Sequence, residues 1–419
     1  MMDELIEGGS FYHTSFFQIF LQGQYNEDLS SLNTTNLGLF VHEYIHYIQN
    51  IATPWGIYSA LHEYKRISEV LQQLIDKDEI NIVYTPDYSD EYKFWHEIWK
   101  LGEGQDTFDN FVGKEIDLSK EIEIRCERVD IQGNKYKKIL LKLHLSDGSE
   151  TEIHLGAKII RESMAYMCQC LFDEHYTLNN AIPYKIIEYL CTPRFKNIAN
   201  DKKKIIAICY IALFSRRPAE LLIDYLFEAN NNPNITYWDL FDIFLSSKIN
   251  NKGTTYSVED FFNKMMDDFQ SILKNLTRTD IPFLKISLDR ARPTFHQAPL
   301  LAIINTEENP LTSKHIKSLV DCYGLPYIAT SHGESAMGCL LPDKEHVAPD
   351  IIMLRAITII LDYITINYRR QFCPAFKVEC DGSAKDDNEC TYKPWKGNKC
   401  FFTEALSLFG IDASKFHFA

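Results

Sequence analysis

No stretch of this 419-residue chain is both long enough and apolar enough to span a membrane. A spanning helix needs about 20 mostly apolar residues. The two most apolar runs, residues 205–214 and 351–366, are respectively too short and broken by Arg355 and Asp362, so both read as buried helices. Residues 1–10 are acidic and lack the basic and apolar regions of a secretory signal. Positive charge is scarce as well. With 43 Lys and Arg against 58 Asp and Glu the net charge is −15, which repels a polyanion and argues against nucleic acid as a partner. The short basic runs Lys202-Lys203-Lys204 and Arg216-Arg217 read as solvated helix ends. There is no internal repeat, no low-complexity tract, no C-x-x-C pair and no G-x-S-x-G elbow, so a serine hydrolase built around His332 with Ser331 or Ser335 finds no support. The cysteine count is odd, at eleven. Cys126, Cys168, Cys170, Cys191, Cys209, Cys322 and Cys339 are scattered through apolar or mixed segments, as reduced thiols are, and the expected location is the cytoplasm.

The rest is a globular composition with enough apolar residues for a sizeable core. Residues 36–50 read as a helix with Thr34, Thr35 or Asn36 available as N-cap and Pro54 just past its end. A second helix over 57–75 follows from Leu61, Tyr64, Ile67 and Leu71 at three- to four-residue spacing. Between residues 121 and 155 the period changes to two. Ile139, Leu141, Leu143 and Leu145 alternate, Gln132-Gly133-Asn134 and Ser146-Asp147-Gly148 mark turns, and a small antiparallel sheet is expected. Residues 158–173 return to helical spacing, and from there to about 370 nearly every segment reads helical, including 185–190, 203–214, 219–229, 258–276, 313–323 and 350–368. Polar breaks fall at 230–234 and 250–254. The aromatic clusters Phe16-Phe17 and residues 95–99 read first as core. The expected class is α+β, mainly helical: residues 1–175 as a catalytic core holding the sheet, 176–370 as a helical body, and 371–419 as a Cys-rich C-terminal module.

The chemistry centres on His42-Glu43-Tyr44-Ile45-His46. Four-residue spacing on a helix puts both imidazoles on one face a turn apart, where they can share a tetrahedral Zn²⁺. Glu43, about 100° round the helix, can take a proton from a water that the ion acidifies. Such short patterns also arise by chance. Here the pattern lies within a capped helix flanked by Leu37, Leu39, Phe40, Val41, Ile45 and Ile48, where two His and a Glu without a metal would need other polar partners. A catalytic ion needs a third protein ligand. Residues 47–53 contain no His or Asp, which removes the metzincin extension. Glu162 is the best candidate, because it opens a helix whose small Ser163 and Ala165 permit close packing; Asp173, Glu174 and His175 are substitutes. Cys373, Cys380, Cys390 and Cys400 lie within 28 residues and could form a structural zinc site, remain unligated or pair as disulfides. Donors for a developing oxyanion could include Tyr166, His296 and His332.

The two helical patches around His42-Glu43-Tyr44-Ile45-His46 and Glu162 resemble the zincin metallopeptidases of gluzincin arrangement. That resemblance implies zinc ligands at His42, His46 and Glu162, a general base at Glu43 and hydrolysis of a peptide bond in a protein or peptide. The layout, with its motif near the N-terminus and cysteines at the end, also resembles the bacterial Lit-type phage-exclusion peptidases. This second resemblance implies a cytosolic protein substrate, a role in antiviral defence and an activity held off until triggered, with a regulatory partner. The rival expectation is a noncatalytic helical interaction or sensor protein with a structural metal or a degenerate motif. Glu43 separates the two, since a structural site needs ligands but no base.

Overall fold

The computed structural model describes residues 10–330 apart from 14–16, 23–24, 27, 83, 106, 177–180, 252 and 278–281; beyond them it describes 335–336, 357–358, 361, 364–365, 403, 406–407 and 409–418. The chain is mainly helical with small sheets, as its periodicities predict. Among the described residues no helix is long and apolar enough to cross a membrane.

Helix α1, Thr34–Ala52, carries the His-Glu motif. Its N-cap is Asn33, one residue before the expected candidates; the Asn33 side chain accepts the Asn36 N–H at 2.8 Å, a role for which Asn is as good as any residue. The helix stops at Thr53, whose extended backbone (φ −124°, ψ 144°) is what a residue before proline prefers. Thr53 then caps the next helix, α2 (Pro54–Ile75), by accepting the Gly56 N–H at 3.1 Å, with Pro54 in the first turn. A one-residue hinge therefore folds α2 back beside α1. Gly56 makes the crossing possible: a Cβ there would meet the Gln49 carbonyl oxygen at 2.3 Å and that of Asn50 at 2.4 Å.

α1 is enclosed on nearly all sides, with Phe40, Val41, Tyr44, Tyr47, Ile48 and Ile51 all fully buried. Helix α3, Asp90–Glu103, goes unanticipated in the sequence pattern because its apolar side is built of aromatics rather than a leucine stripe. It packs on α2. The three-stranded antiparallel sheet expected at 121–155 is present as β4 (Glu123–Ile131), β5 (Asn134–His144) and β6 (Glu150–His154), and Ile139, Leu141, Leu143 and Ile153 turn into the core. The β4–β5 turn has two residues, Gln132 and Gly133, both at positive φ (49° and 83°), the geometry that suits strand twist. Helix α4, Ala157–Phe172, follows the sheet and lies along α1, its main partner.

The helical body comprises α5 (Ile186–Arg194), α6 (Lys202–Ala212), α7 (Pro218–Asn231), α8 (Tyr237–Leu245), α9 (Val258–Thr277), α10 (Pro282–Ala291), α11 (Pro299–Ile304) and α12 (Ser313–Tyr323). The apolar run at 205–214 is a buried helix, as expected: residues 205–212 of α6 are buried throughout. Two corrections concern strands. A hairpin of β7 (Lys248–Asn251) and β8 (Thr254–Ser257) occupies the break at 250–254, where polar residues suffice because the hairpin is largely solvated. The body is also not purely helical, because β1 (Phe11–His13), β2 (Gln18–Leu21), β9 (Tyr327–Thr330) and β10 (Ser335–Ala336) form one mixed sheet in which β2 and β9 run parallel. Similarly, β3 (Ile80–Ile82) pairs in parallel with β11 (Phe416–Phe418). Strands of three or four residues are set by partners some 300 residues away, which local pattern does not reveal. The helix expected at 350–368 lies mostly outside the described residues, of which 357–358, 361 and 364–365 are helical. Cys339, Cys373, Cys380, Cys390 and Cys400 lie outside them, as does His332.

Candidate metal centre

Where α1 and α4 lie side by side, three side chains converge. His42 Nε2 and His46 Nε2 are 3.3 Å apart, and Glu162 Oε2 lies 3.6 Å from the first and 3.4 Å from the second. Ligands arranged tetrahedrally at about 2.0–2.1 Å from one ion are separated by about 3.3–3.4 Å. The three atoms thus mark one face of such a tetrahedron, with its fourth vertex supplied by none of them. Among the described residues this is the one group of three or more His, Cys, Asp or Glu side chains placed to share an ion.

The protonation pattern around these atoms follows from their neighbours. His46 Nδ1 lies 2.9 Å from Gln49 Oε1, and the amide of Gln49 is oriented by its other end, which donates to the Arg161 carbonyl at 3.1 Å. An amide oxygen only accepts, so Nδ1 of His46 is the donor there and Nε2 is the nitrogen left to face a metal. His42 Nδ1 has the same kind of partner, Gln169 Oε1 at 3.1 Å. Both glutamines are buried, as is His42. Burial works against ionisation of Glu162, but in the metal-free protein the positive charge of His46 and hydrogen bonds donated by His42 and His46 override it and hold the carboxyl well below the usual carboxylate range. A proton therefore lies between the imidazoles and the carboxylate. Once that proton is displaced, two imidazole lone pairs and a carboxylate oxygen face one another and repel. A cation at their centre would remove that repulsion, and second-shell acceptors on Nδ1 are the usual way a ligating imidazole is held.

Glu43 follows His42 on α1 and is buried, 5 % exposed. Near it stands Tyr176, whose phenol is raised chiefly by burial and further by the Glu43 charge, with Gln169 acting in the other direction. Tyr184 places its ring centroid 5.9 Å from that of His42. Both tyrosines are half-buried. The raised phenol keeps Tyr176 a neutral O–H donor.

The substitutes for Glu162 fall away: Asp173 Oδ1 accepts the His175 N–H at 3.2 Å, and Glu174 and His175 are exposed. Of the expected oxyanion donors, His296 is at the surface, 2.7 Å from Glu259. Tyr166 lies one turn beyond Glu162, but its hydroxyl interacts with Cys170 and its phenol is pushed up by burial and by that thiol. Tyr184, whose ring lies beside His42, and Tyr176, within range of the Glu43 charge, border the three side chains instead, with Gln49 and Gln169 behind the imidazoles. None of these four is apparent from residue type. The glutamines' only sequence trace is spacing, Gln49 three residues after His46 and Gln169 seven after Glu162, each close to a whole number of turns and so on the face already in use. No protein-family model matches this chain, and neither does any curated protein or solved structure.

Proposed function

We propose that this chain is a zinc-dependent peptidase in which His42, His46 and Glu162 hold the metal and Glu43 is the general base. The observation that supports it is the tetrahedral face of three convergent ligand atoms, 3.3 to 3.6 Å apart, with a buried carboxylate one residue from the first ligand. Two imidazoles and a carboxylate are a donor set for zinc rather than for calcium or magnesium, which take oxygen ligands. A structural zinc is closed by four side chains. Three are present among the described residues, which favours catalysis over the noncatalytic rival.

Bound here, Zn²⁺ supplies Lewis acidity, acidifying water toward neutrality and polarising a carbonyl. The chain's own residues do the rest. Glu43 takes the proton of the attacking water and hands it to the departing amine, the two halves of general acid–base catalysis. Tyr176 offers a neutral hydroxyl donor to the carbonyl oxygen as negative charge develops on it, and the Tyr184 ring stands beside His42. Gln49 and Gln169 accept from both Nδ1 atoms, which turns both Nε2 atoms toward the metal. The substrate class is a protein or peptide, as the resemblance of the two motif helices to those of the zincins implies.

The test compares the wild type with Glu43→Gln, incubated with a cytosolic protein extract, with new N-termini counted by mass spectrometry and zinc by elemental analysis. The substitution is expected to leave zinc content unchanged and slow cleavage by roughly 10²- to 10⁴-fold. Equal cleavage by both proteins, or none by a zinc-loaded wild type, would refute the proposal.

A further inference from the structure

Arg216 reads in the sequence as a solvated helix end, yet the structure folds it into a ring of aromatics. Its guanidinium carbon lies 4.9 Å from the centroid of Phe261, 5.4 Å from that of Tyr58 and 5.5 Å from that of Trp95. Rings stacked on the flat faces of a guanidinium leave its in-plane N–H donors free, and here Nε has no hydrogen-bond partner. No carboxylate among the described residues pairs with it. Burial pushes its pKa down, yet an arginine stays charged inside a protein. A cation held in this way, half-buried and without a carboxylate partner among the described residues, keeps its terminal N–H donors for a ligand that enters beside it.

Arg216 lines a cavity of about 560 Å³, within the size range of small-molecule sites. Phe94, Trp95, Phe214 and Phe261 contribute to its walls. Its charged lining consists of Lys137, Arg216, Arg217 and Lys248 against Glu220 alone, an excess of three cations in a protein whose net charge is −15. Glu220 is already shared, lying 3.5 Å from Arg217 and 3.6 Å from Lys137, which leaves Arg216 and Lys248 without a carboxylate among the described residues. Arg217 is the N-cap residue of α7, so the positive end of a 14-residue helix adds to the field. His42, His46 and Glu162 are absent from this lining, so the cavity is a separate site.

We infer that this cavity binds a nucleoside diphosphate, its base between the aromatic walls and its phosphates on Arg216 and the flanking cations. One phosphate carries about −1.5 to −2 charges near neutrality, so two phosphates match an excess of three cations where a single carboxylate does not. The planar donor fork of Arg216 suits two phosphate oxygens at once, and a flat base offers its face to aromatic side chains. The inference is independent of the peptidase reading and survives its failure.

Isothermal titration of the full chain with ADP, GDP and UDP, and separately with adenosine and pyrophosphate, tests it. At least one of the three diphosphates is expected to bind at one equivalent, more tightly than pyrophosphate and, for ADP, more tightly than adenosine. Arg216→Gln is expected to weaken that binding by about tenfold or more, the loss of one charge-assisted bidentate contact. Lys248 is exposed, so Lys248→Gln leaves the core intact and gives a reading even if the Arg216 variant does not fold; it should weaken binding roughly threefold, a salt-sensitive surface contribution. No binding of any of the three at millimolar concentration overturns the inference. So does pyrophosphate binding as tightly as the nucleotides, or affinity unchanged in both variants.

Discussion

Replacing Gln169 with Leu probes how the metal centre is held without touching a ligand. Gln169 is 1 % exposed on α4, and its Oε1 accepts from His42 Nδ1 at 3.1 Å. Leucine keeps nearly the same volume, so the contact with Gly38, where a Cβ would sit 3.5 Å from Gln169 Cγ, is little changed. The loss is the acceptor. His42 then has nothing to hold its proton on Nδ1, and the proton can move to Nε2, where Glu162 Oε2, now 3.6 Å away, can accept it. A metal would have to displace that proton and reorient the ring. Loss of such an outer partner typically lowers metal affinity 10- to 100-fold, or about 1.4 to 2.7 kcal/mol. Competition against a fluorescent zinc chelator at constant pH measures the affinity, and thermal unfolding of the metal-free protein separates it from a folding defect. Gln49→Leu should weaken binding further, because Gln49 also ties α1 to the Arg161 carbonyl. Affinity within about twofold of wild type in a folded Gln169→Leu protein would refute the assigned proton positions, since second-shell losses are larger than that.

Gly56→Ala would drive a Cβ to 2.3 Å from the Gln49 carbonyl oxygen, so α1 and α2 must separate. The expected cost is about 1–3 kcal/mol by urea denaturation, with weakened zinc binding because Gln49 moves with the backbone. His62, 5 % exposed on α2, hydrogen-bonds His96 Nδ1 at 2.9 Å and stacks on Tyr92 and Trp99. Burial, reinforced by the charges of His96 and of Arg66 and Lys65, lowers its pKa from 6.5 to about 3. Below pH 6.5 the unfolded chain takes a proton that the folded chain refuses, so this group's contribution is complete above pH 6.5 and falls steadily toward pH 3. Between pH 8 and pH 5 the loss is about 2 kcal/mol. Denaturant titrations at the two pH values should show that much less pH sensitivity in His62→Phe than in wild type, and an equal sensitivity would contradict the buried neutral imidazole.

The motif helix was legible because α1 is long, apolar and periodic, and because two imidazoles four residues apart have few other uses on such a face. Glu162 was legible for a different reason, the small Ser163 and Ala165 beside it; both are fully buried, although the Ser163 hydroxyl is taken up by the Pro183 carbonyl. The glutamines were not. Glutamine is common and neutral, and its meaning here comes from which imidazole nitrogen it faces. The strand β2 and its parallel partner β9 were hidden because four residues carry little period and the partner lies some 300 positions away. Arg216 was misread for the same physical reason. Its sequence neighbours are polar, whereas Tyr58, Trp95 and Phe261, which surround it, come from three distant helices.

The most direct test of the metal centre is X-ray diffraction above and below the zinc absorption edge, from crystals of the full chain supplied with stoichiometric zinc. The account predicts an anomalous difference peak within about 2.2 Å of His42 Nε2, His46 Nε2 and a Glu162 carboxylate oxygen, and its disappearance in His46→Ala. Zinc-supplied crystals with no peak at that position would contradict it.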